Sequence, residues 1–489
     1  MLKIKSICVH SDREVIHKLT HELLDLFHIE TGEGEWDFEV FLEILEKEPI
    51  FVRTRLRIDD EEFSKEGEGF LNERSSGAVH RLYKKHLYEM LREKFGFPKA
   101  EWGILHGVRP TKIVRRYFED GLTEGELFSR LTDDYLVSEE KARLLLEVSE
   151  REKWILEDRD EKKISVYIGI PFCLSRCFYC SFPSYLLPGE KKLAEFAEVF
   201  KRDFLAAKDE IKRHNFKIEC IYMGGGTPTS LPNELFAKIM GLVEDAFVTE
   251  DLKEFTLEAG RPDSMSDEKY NIIFNSPVTR VSVNPQTMNE KTLIRIGRKH
   301  SPEDIKEMFY AFRKKTDLDI NMDLILGLPG ETATDVEATV KEVIAIEPDD
   351  ITLHALAKKR GSPLKLALDE KEEVILPSDD ETRKMSKIAN RLIREANYSP
   401  YYLYRQGYMS GGLENIGFAK PNKESVYNVK IIEECQTIIG VGGAATTKVV
   451  DEREKRIKAT FNPKDLITYL RDIEIYIEKR KNLLNETYN

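Results

Sequence analysis

Six short runs rich in β-branched and aromatic residues recur between residues 164 and 356: ISVYIGI, ECIYMG, EFTLEA, VTRVSVNP, DINMDLIL and DITLHAL. Charged, helix-length segments such as EKKLAEFAEVFKRDFLAAKDEIKRH separate most of them. Strands that run in the same direction need a long crossover, usually a helix. The beat therefore predicts an α/β fold whose parallel β/α units form a barrel or part of one. In such barrels chemistry gathers at the C-terminal ends of the strands. The residues that close each run are the first candidates for function.

The flanks follow other patterns. Residues 1–160 read as an α+β extension: REVIHKLTHELLDLF and AVHRLYKKHLYEMLREKFG have helical periodicity, and PIFVRTRLRID alternates like a strand. The charged stretch SEREKWILEDRDEKK connects it to a barrel at 161–375. Residues 376–489 read as a mainly helical region packed on the barrel, with DETRKMSKIANRLIREA, the aromatic run YSPYYLYRQGYM, a glycine-rich turn and a charged terminal helix. A chain of 489 residues is too long for one ordinary core.

Hydrophobic residues at 41% and charged residues at 33% suit a soluble globular protein. No stretch approaches the roughly 20 apolar residues of a membrane span, and MLKIKSICVHSDREV lacks the apolar centre of a secretory signal. The net charge of −13 argues against a nucleic-acid partner. Arg109, Lys112, Arg115 and Arg116 stand among acidic residues and read as a solvated helical face. Six cysteines in so long a chain form no disulfide framework, so the expected compartment is cytoplasmic.

Three of those cysteines, Cys173, Cys177 and Cys180, stand in PFCLSRCFYCSF directly after the first run. A closed zinc site needs four ligands; a second cysteine pair is missing, with His300 or His354 as the alternative fourth ligand. A redox pair of Cys177 and Cys180 gives Cys173 no purpose and lacks a following helix signal. Three thiolates suit a [4Fe–4S] cluster that keeps one iron open for a small molecule. CxxxCxxC on the loop after a first strand resembles the signature of the radical S-adenosylmethionine (SAM) superfamily. The resemblance implies a partial (β/α)6 TIM-type barrel in which the open iron chelates the amino and carboxylate groups of SAM. An electron from the cluster then cleaves the sulfonium to give a 5′-deoxyadenosyl radical.

The other strand ends extend the resemblance. MGGGTPTSL places Gly224, Gly225, Gly226 and Thr227 where the superfamily's glycine motif receives the SAM amino group. TLEAGRPD puts Glu258 at the barrel mouth, like the glutamate of an E-x-N-P motif, although Ala259-Gly260-Arg261 departs from that pattern. RVSVNPQTMNEKTLIRIGRKH offers Ser282 and Gln286 at a strand end and Arg298 for the SAM carboxylate. NMDLILGLPGET supplies Asp323, then Gly327-Leu328-Pro329-Gly330 as a turn to present backbone to the adenine.

VYIGIPFCLSRCFYCSF, MGGGTPTSL, RVSVNPQTMNEKTLIRIGRKH and INMDLILGLPGET together resemble the oxygen-independent coproporphyrinogen III oxidases (coproporphyrinogen dehydrogenases). YYLYRQGYMSGGLENIGFAKP and the N-terminal extension resemble their HemZ-like subgroup. Tyr167 matches the family's tyrosine six residues before the first cysteine, with a cofactor-binding and catalytic role implied; Gly169 stands where the family carries histidine. By resemblance, two propionates of coproporphyrinogen III become vinyl groups, giving protoporphyrinogen IX for haem biosynthesis. The electron comes from a reducing partner such as flavodoxin or ferredoxin. Lys358, Lys359, Arg360 and Arg405, with Tyr401, Tyr402, Tyr404 and Tyr408, are candidate contacts for the carboxylates and ring. Relatives with other roles leave an alternative open: a haem- or tetrapyrrole-binding chaperone, or a haem-modifying radical SAM protein. The chaperones carry a short HNxxYW motif, and the stretch Tyr427-Asn428-Val429-Lys430-Ile431-Ile432 lacks it.

Overall fold

The computed structural model describes residues 2–70, 75–315, 317–371, 373–407, 409–451, 454 and 456–488. Two compact units divide the chain, 1–149 and 150–489.

In the first unit, strands β1 (Leu2–His10), β2 (Ile29–Thr31), β3 (Trp36–Lys47), β4 (Ile50–Ile58) and β5 (Glu61–Glu68) form one sheet in the order β2-β1-β3-β4-β5. β1 is parallel to both neighbours, while β3, β4 and β5 form an antiparallel meander. Helices α1 (Glu14–Leu26) and α2 (Ser75–Phe95) match the two periodic runs of the sequence. Alternation along β4 turns Val52 inward, where it packs with Val79 and Leu82 of α2. Helices α3 (Thr111–Glu119) and α4 (Glu124–Ser129) follow, the second started by a Thr123/Glu126 capping box. Helix α5 (Glu139–Glu157) carries the chain across the boundary, which lies inside the helix and before residue 160.

The first strand of the second unit is β6 (Lys163–Ile170). A two-stranded pair, β7 (Phe172–Cys173) with β8 (Tyr185–Leu186), fixes the two ends of the cysteine loop, and α6 (Glu190–Arg213) follows. The chain then alternates: β9 (Lys217–Gly225), α7 (Asn233–Phe247), β10 (Glu254–Glu258), α8 (Asp267–Phe274), β11 (Arg280–Gln286), α9 (Glu290–Arg295) and α10 (Pro302–Arg313). It continues through β12 (Asp319–Leu326), α11 (Ala333–Ala345), β13 (Asp350–Ala355) and α12 (Pro363–Asp369). All six expected β-runs are strands, parallel to one another and adjacent in chain order. Burial on both faces explains their near-continuous apolar sequences. The covering helices bury one stripe each; in α6 it is Leu193, Phe196, Phe200, Phe204, Ala207 and Ile211.

After residue 376 come α13 (Asp379–Glu395), α14 (Val426–Glu433) and α15 (Leu466–Tyr488), but also five strands: β14 (Ser399–Tyr404), β15 (Asn415–Ala419), β16 (Thr437–Gly442), β17 (Thr446–Asp451) and β18 (Arg456–Phe461). These strands extend both edges of the parallel sheet, giving β14-β15-β13-β12-β11-β10-β9-β6-β16-β17-β18. β15 is antiparallel to β13, and β16 is parallel to β6. Helix dominates this region by residue number, yet its strands carry it into the central sheet. Most of the aromatic run that begins at Tyr398 is strand β14, whose tyrosines point alternately across the sheet.

No helix among the described residues is long and apolar enough to cross a membrane.

Candidate functional site

The C-terminal ends of the six parallel strands open on one cavity of about 470 Å³. Its wall includes Tyr167 from β6, Gly225 at the end of β9 with Gly226 and Thr227 after it, Glu258 from β10, Gln286 from β11, Asp323 from β12 and His354 from β13. Cys173, Cys177 and Cys180 line the same cavity, and so does Arg298. All six cysteines of the chain are free thiols.

The cysteine loop is tied to the sheet by backbone. Gly226 N–H donates to the Ile170 carbonyl and Thr227 N–H to the Phe172 carbonyl, both at 2.7 Å. Two amides of the glycine motif thus hold the cysteine strand instead of facing the cavity. Thr227 Oγ1 lies 3.6 Å from Cys173 Sγ. Burial pushes Cys180 up to about 11 and raises Cys173 as well. Among the described residues no three His, Cys, Asp or Glu side chains close around a single ion.

Two buried guanidinium groups support the loop from beneath. Arg261 donates to the Ser175 carbonyl at 2.9 Å and reaches 4.0 Å from Cys177 Sγ. Arg298 donates to the Gly260 carbonyl and the Tyr179 hydroxyl, both at 3.1 Å.

Gly224 does not line the cavity. A Cβ there would stand 2.5 Å from the Glu258 carboxyl carbon, so the missing side chain is what lets Glu258 lie against β9. Tyr222 donates a 2.7 Å hydrogen bond to Glu258 Oε1. Burial pushes Glu258 up to about 7, and the charge of Asp323 adds to the effect; the Tyr222 hydroxyl and Gly225 amide oppose it. For Asp323 the balance is reversed: burial raises it, but His354, Asn321 and Thr352 outweigh burial and hold it below the usual carboxylate range. His354 Nε2 lies 3.7 Å from Asp323 Oδ1, and Asn321 donates to the same oxygen at 2.8 Å. Gln286 takes a positive φ of 67°, an uncommon backbone state that recurs at functional sites.

Several expected residues stand elsewhere. Ser282 is buried in a polar chain, donating to Asn284 and accepting from Asn321. The Gly327–Gly330 turn does not line the cavity; Arg295 holds its Pro329 carbonyl and Ile375 accepts from Gly330 N–H. Of the candidate substrate contacts, Lys359, Tyr402 and Tyr404 reach the cavity. Tyr401 donates instead to Asp350, and Arg405 is half-buried beside Glu414. Tyr408 lies outside the described residues. Of the basic residues near α3, Arg115 lies 3.9 Å from Glu119.

Sequence reasoning missed Tyr222, Arg261, Asn284, Asn321, Thr352 and Tyr427, all in the cavity wall. Tyr222 lies between Tyr167 and Tyr427, with ring centroids 6.1 and 4.6 Å away and interplanar angles of 16° and 22°. Arg261 had a signal, being the residue that departs from the E-x-N-P pattern. Tyr427 had none, since only tertiary folding brings α14 to this wall.

The Radical SAM superfamily pattern matches residues 167–343. The chain is 32% identical to the oxygen-independent coproporphyrinogen-III oxidase-like protein HemZ of Bacillus subtilis (strain 168), over 100% of this chain and 99% of that protein. The chain belongs to this HemZ-like family of radical SAM proteins. It is also 27% identical to the heme chaperone HemW of Lactococcus lactis, over 61% of this chain and 73% of the chaperone. In fold it matches the Escherichia coli coproporphyrinogen III oxidase HemN, a radical SAM enzyme, with a TM-score of 0.54, 19% identity, and coverage of 67% and 73% of the two chains.

Radical SAM proteins use a [4Fe–4S] cluster and SAM. The donor set suits that pair: three free thiols share a wall with buried Arg261 and Arg298, cations that offset the negative charge of a thiolate-bound cluster. The barrel is the partial (β/α)6 type of this superfamily, with the cavity at its strand ends.

Proposed function

We propose that this chain is an oxygen-independent coproporphyrinogen III oxidase, converting two propionates to vinyl groups and yielding protoporphyrinogen IX. One observation carries the reading. The cysteine loop shares its cavity with a second wall of Lys359, Tyr402, Tyr404 and Tyr427, contributed by the segment after β13, by β14 and by α14. Cluster and SAM supply a radical that removes one hydrogen atom; loss of CO₂ and transfer of one electron to an acceptor complete each vinyl group. Cys173, Cys177 and Cys180 hold the cluster. Tyr167, Gly225, Gly226, Thr227, Glu258, Gln286, Arg298 and Asp323 surround SAM, with Gly224 making room for Glu258. Lys359 anchors a propionate: it is half-buried, and burial lowers its pKa, so a carboxylate restores a favourable environment for its charge. The tyrosine rings pack the tetrapyrrole and exclude water. A low-potential protein such as flavodoxin or ferredoxin supplies the electron.

The similarity to heme chaperones supports a second reading, a tetrapyrrole-binding protein with cluster and SAM sites but without this chemistry. Turnover separates the two. The protein is reconstituted anaerobically and given dithionite, SAM and coproporphyrinogen III, and 5′-deoxyadenosine and tetrapyrrole are followed by mass. Loss of two carboxyl groups is expected. Deoxyadenosine without decarboxylation overturns the substrate assignment. In Cys177→Ala, cluster loading and SAM cleavage should both be lost while the fold remains.

A further inference from the structure

We propose that Arg261 sets the reduction potential of the cluster held by Cys173, Cys177 and Cys180, as a positioning residue acting through the Cys177 sulfur. The inference rests on the cluster site and not on the identity of the tetrapyrrole.

Arg261 is 3% exposed, three residues beyond Glu258 at the end of β10. Its five N–H donors all have destinations. Nε and Nη2 grip the two carboxylate oxygens of Asp263 at 2.9 and 2.7 Å. Nη2 also donates to Ser175 Oγ at 2.8 Å, and Nη1 to the Ser175 carbonyl at 2.9 Å. The remaining Nη1 direction meets Cys177 Sγ at 4.0 Å. The guanidinium is thereby fixed in position and cannot swing away when the sulfur changes charge.

The other thiols have different company. Cys173 faces the neutral Thr227 hydroxyl, and the second buried guanidinium, Arg298, directs its two terminal nitrogens to Gly260 and Tyr179. A fixed cation beside a cluster sulfur favours the reduced, more negative state, as hydrogen bonds to sulfur do. Burial strengthens the effect because little water screens it. Asp263, paired through both oxygens, offsets part of that charge. Arg261 and Asp263 therefore pull the potential in opposite directions.

The opposition provides the test. The full chain is reconstituted with its cluster and titrated with dithionite while the reduced cluster is followed by electron paramagnetic resonance. Arg261→Met should move the midpoint to more negative potential. Asp263→Asn should move it to more positive potential, because it leaves the guanidinium unneutralised. Arg261→Lys should fall between Arg261→Met and the parent. A disturbed loop would shift Arg261→Met and Asp263→Asn in the same direction, and that result overturns the proposal, as does an unchanged midpoint in all three. Should Arg261→Met fail to retain iron, the signs in Arg261→Lys and Asp263→Asn decide: negative and positive support the proposal, and any other pair overturns it.

Discussion

The Gly443 carbonyl oxygen lies 2.6 Å from the point that a Cβ on Gly169 would occupy. The relationship is reciprocal, since a Cβ on Gly442, the register partner of Gly169, would collide with the Gly169 carbonyl. Strands β6 and β16 thus meet backbone to backbone just before the cysteine loop. The family's histidine at position 169 has no room in this backbone.

Gly169→Ala and Gly169→His should therefore destabilise the fold rather than restore a missing function. Overpacking costs roughly 1–3 kcal/mol when side chains can yield, and here the obstacle is main chain. Urea unfolding would show a lower midpoint for Ala and a lower one still for His. A midpoint equal to the parent's in Gly169→His would refute the steric account.

Asp203 and Arg480, which do not line the cavity, hold the end of β16. Arg480 Nη1 donates to Asp203 Oδ1 at 2.6 Å and to the Gly440 carbonyl at 2.9 Å; Asp203 Oδ2 accepts from Gly442 N–H at 2.8 Å. Both partners are buried, so Arg480→Met leaves an uncompensated carboxylate and should cost about 3–5 kcal/mol. Iron retention after reconstitution should fall with it, because the end of β16 packs on Gly169. Normal retention at reduced stability would separate this strut from the site.

For Glu258 the pH dependence has a definite sign. Its folded pKa, about 7, lies above the ordinary value of 4.5 because burial disfavours the charge. Below pH 4.5 both folded and unfolded forms are protonated and stability is unaffected. Between pH 4.5 and 7 the unfolded state binds fewer protons, so this group's contribution to stability falls, by up to about 3 kcal/mol, and levels off above pH 7. Glu258→Gln should lose that slope. Parallel stability–pH curves for variant and parent between pH 5 and 8 would argue against the raised pKa.

Lys359→Ala should raise KM for coproporphyrinogen III roughly ten- to hundredfold, the loss expected when a charged hydrogen bond worth about 1.5–3 kcal/mol disappears. SAM cleavage without tetrapyrrole should not change. Arg405→Ala, which removes a side chain outside the cavity wall, should leave KM near the parent's. Equal KM changes in the two variants would show that Lys359 has no special place.

The six parallel strands were legible because burial on both faces leaves unbroken apolar runs, and the crossover helices leave stripes at helical spacing. The cysteine loop was legible because its three thiols are close in sequence. Glu258, Gln286 and Asp323 could be placed once strands were assigned, since each ends or nearly ends one. Arg261 was visible only as a break in a motif.

Local sequence determined the elements of this protein and the spacing of Cys173, Cys177 and Cys180, which is short enough to be set by one loop. Tertiary structure alone decided what encloses them. Ser165 on β6 donates to Gln436 across 271 residues of sequence, and TIIGVG just beyond it becomes β16 by pairing in parallel with β6. The same closure brings the chain beyond residue 400 to both edges of the sheet and puts Tyr402, Tyr404 and Tyr427 in one cavity with the cysteines. Strand pairing is a contact between distant segments, and no single segment carries the identity of its partner.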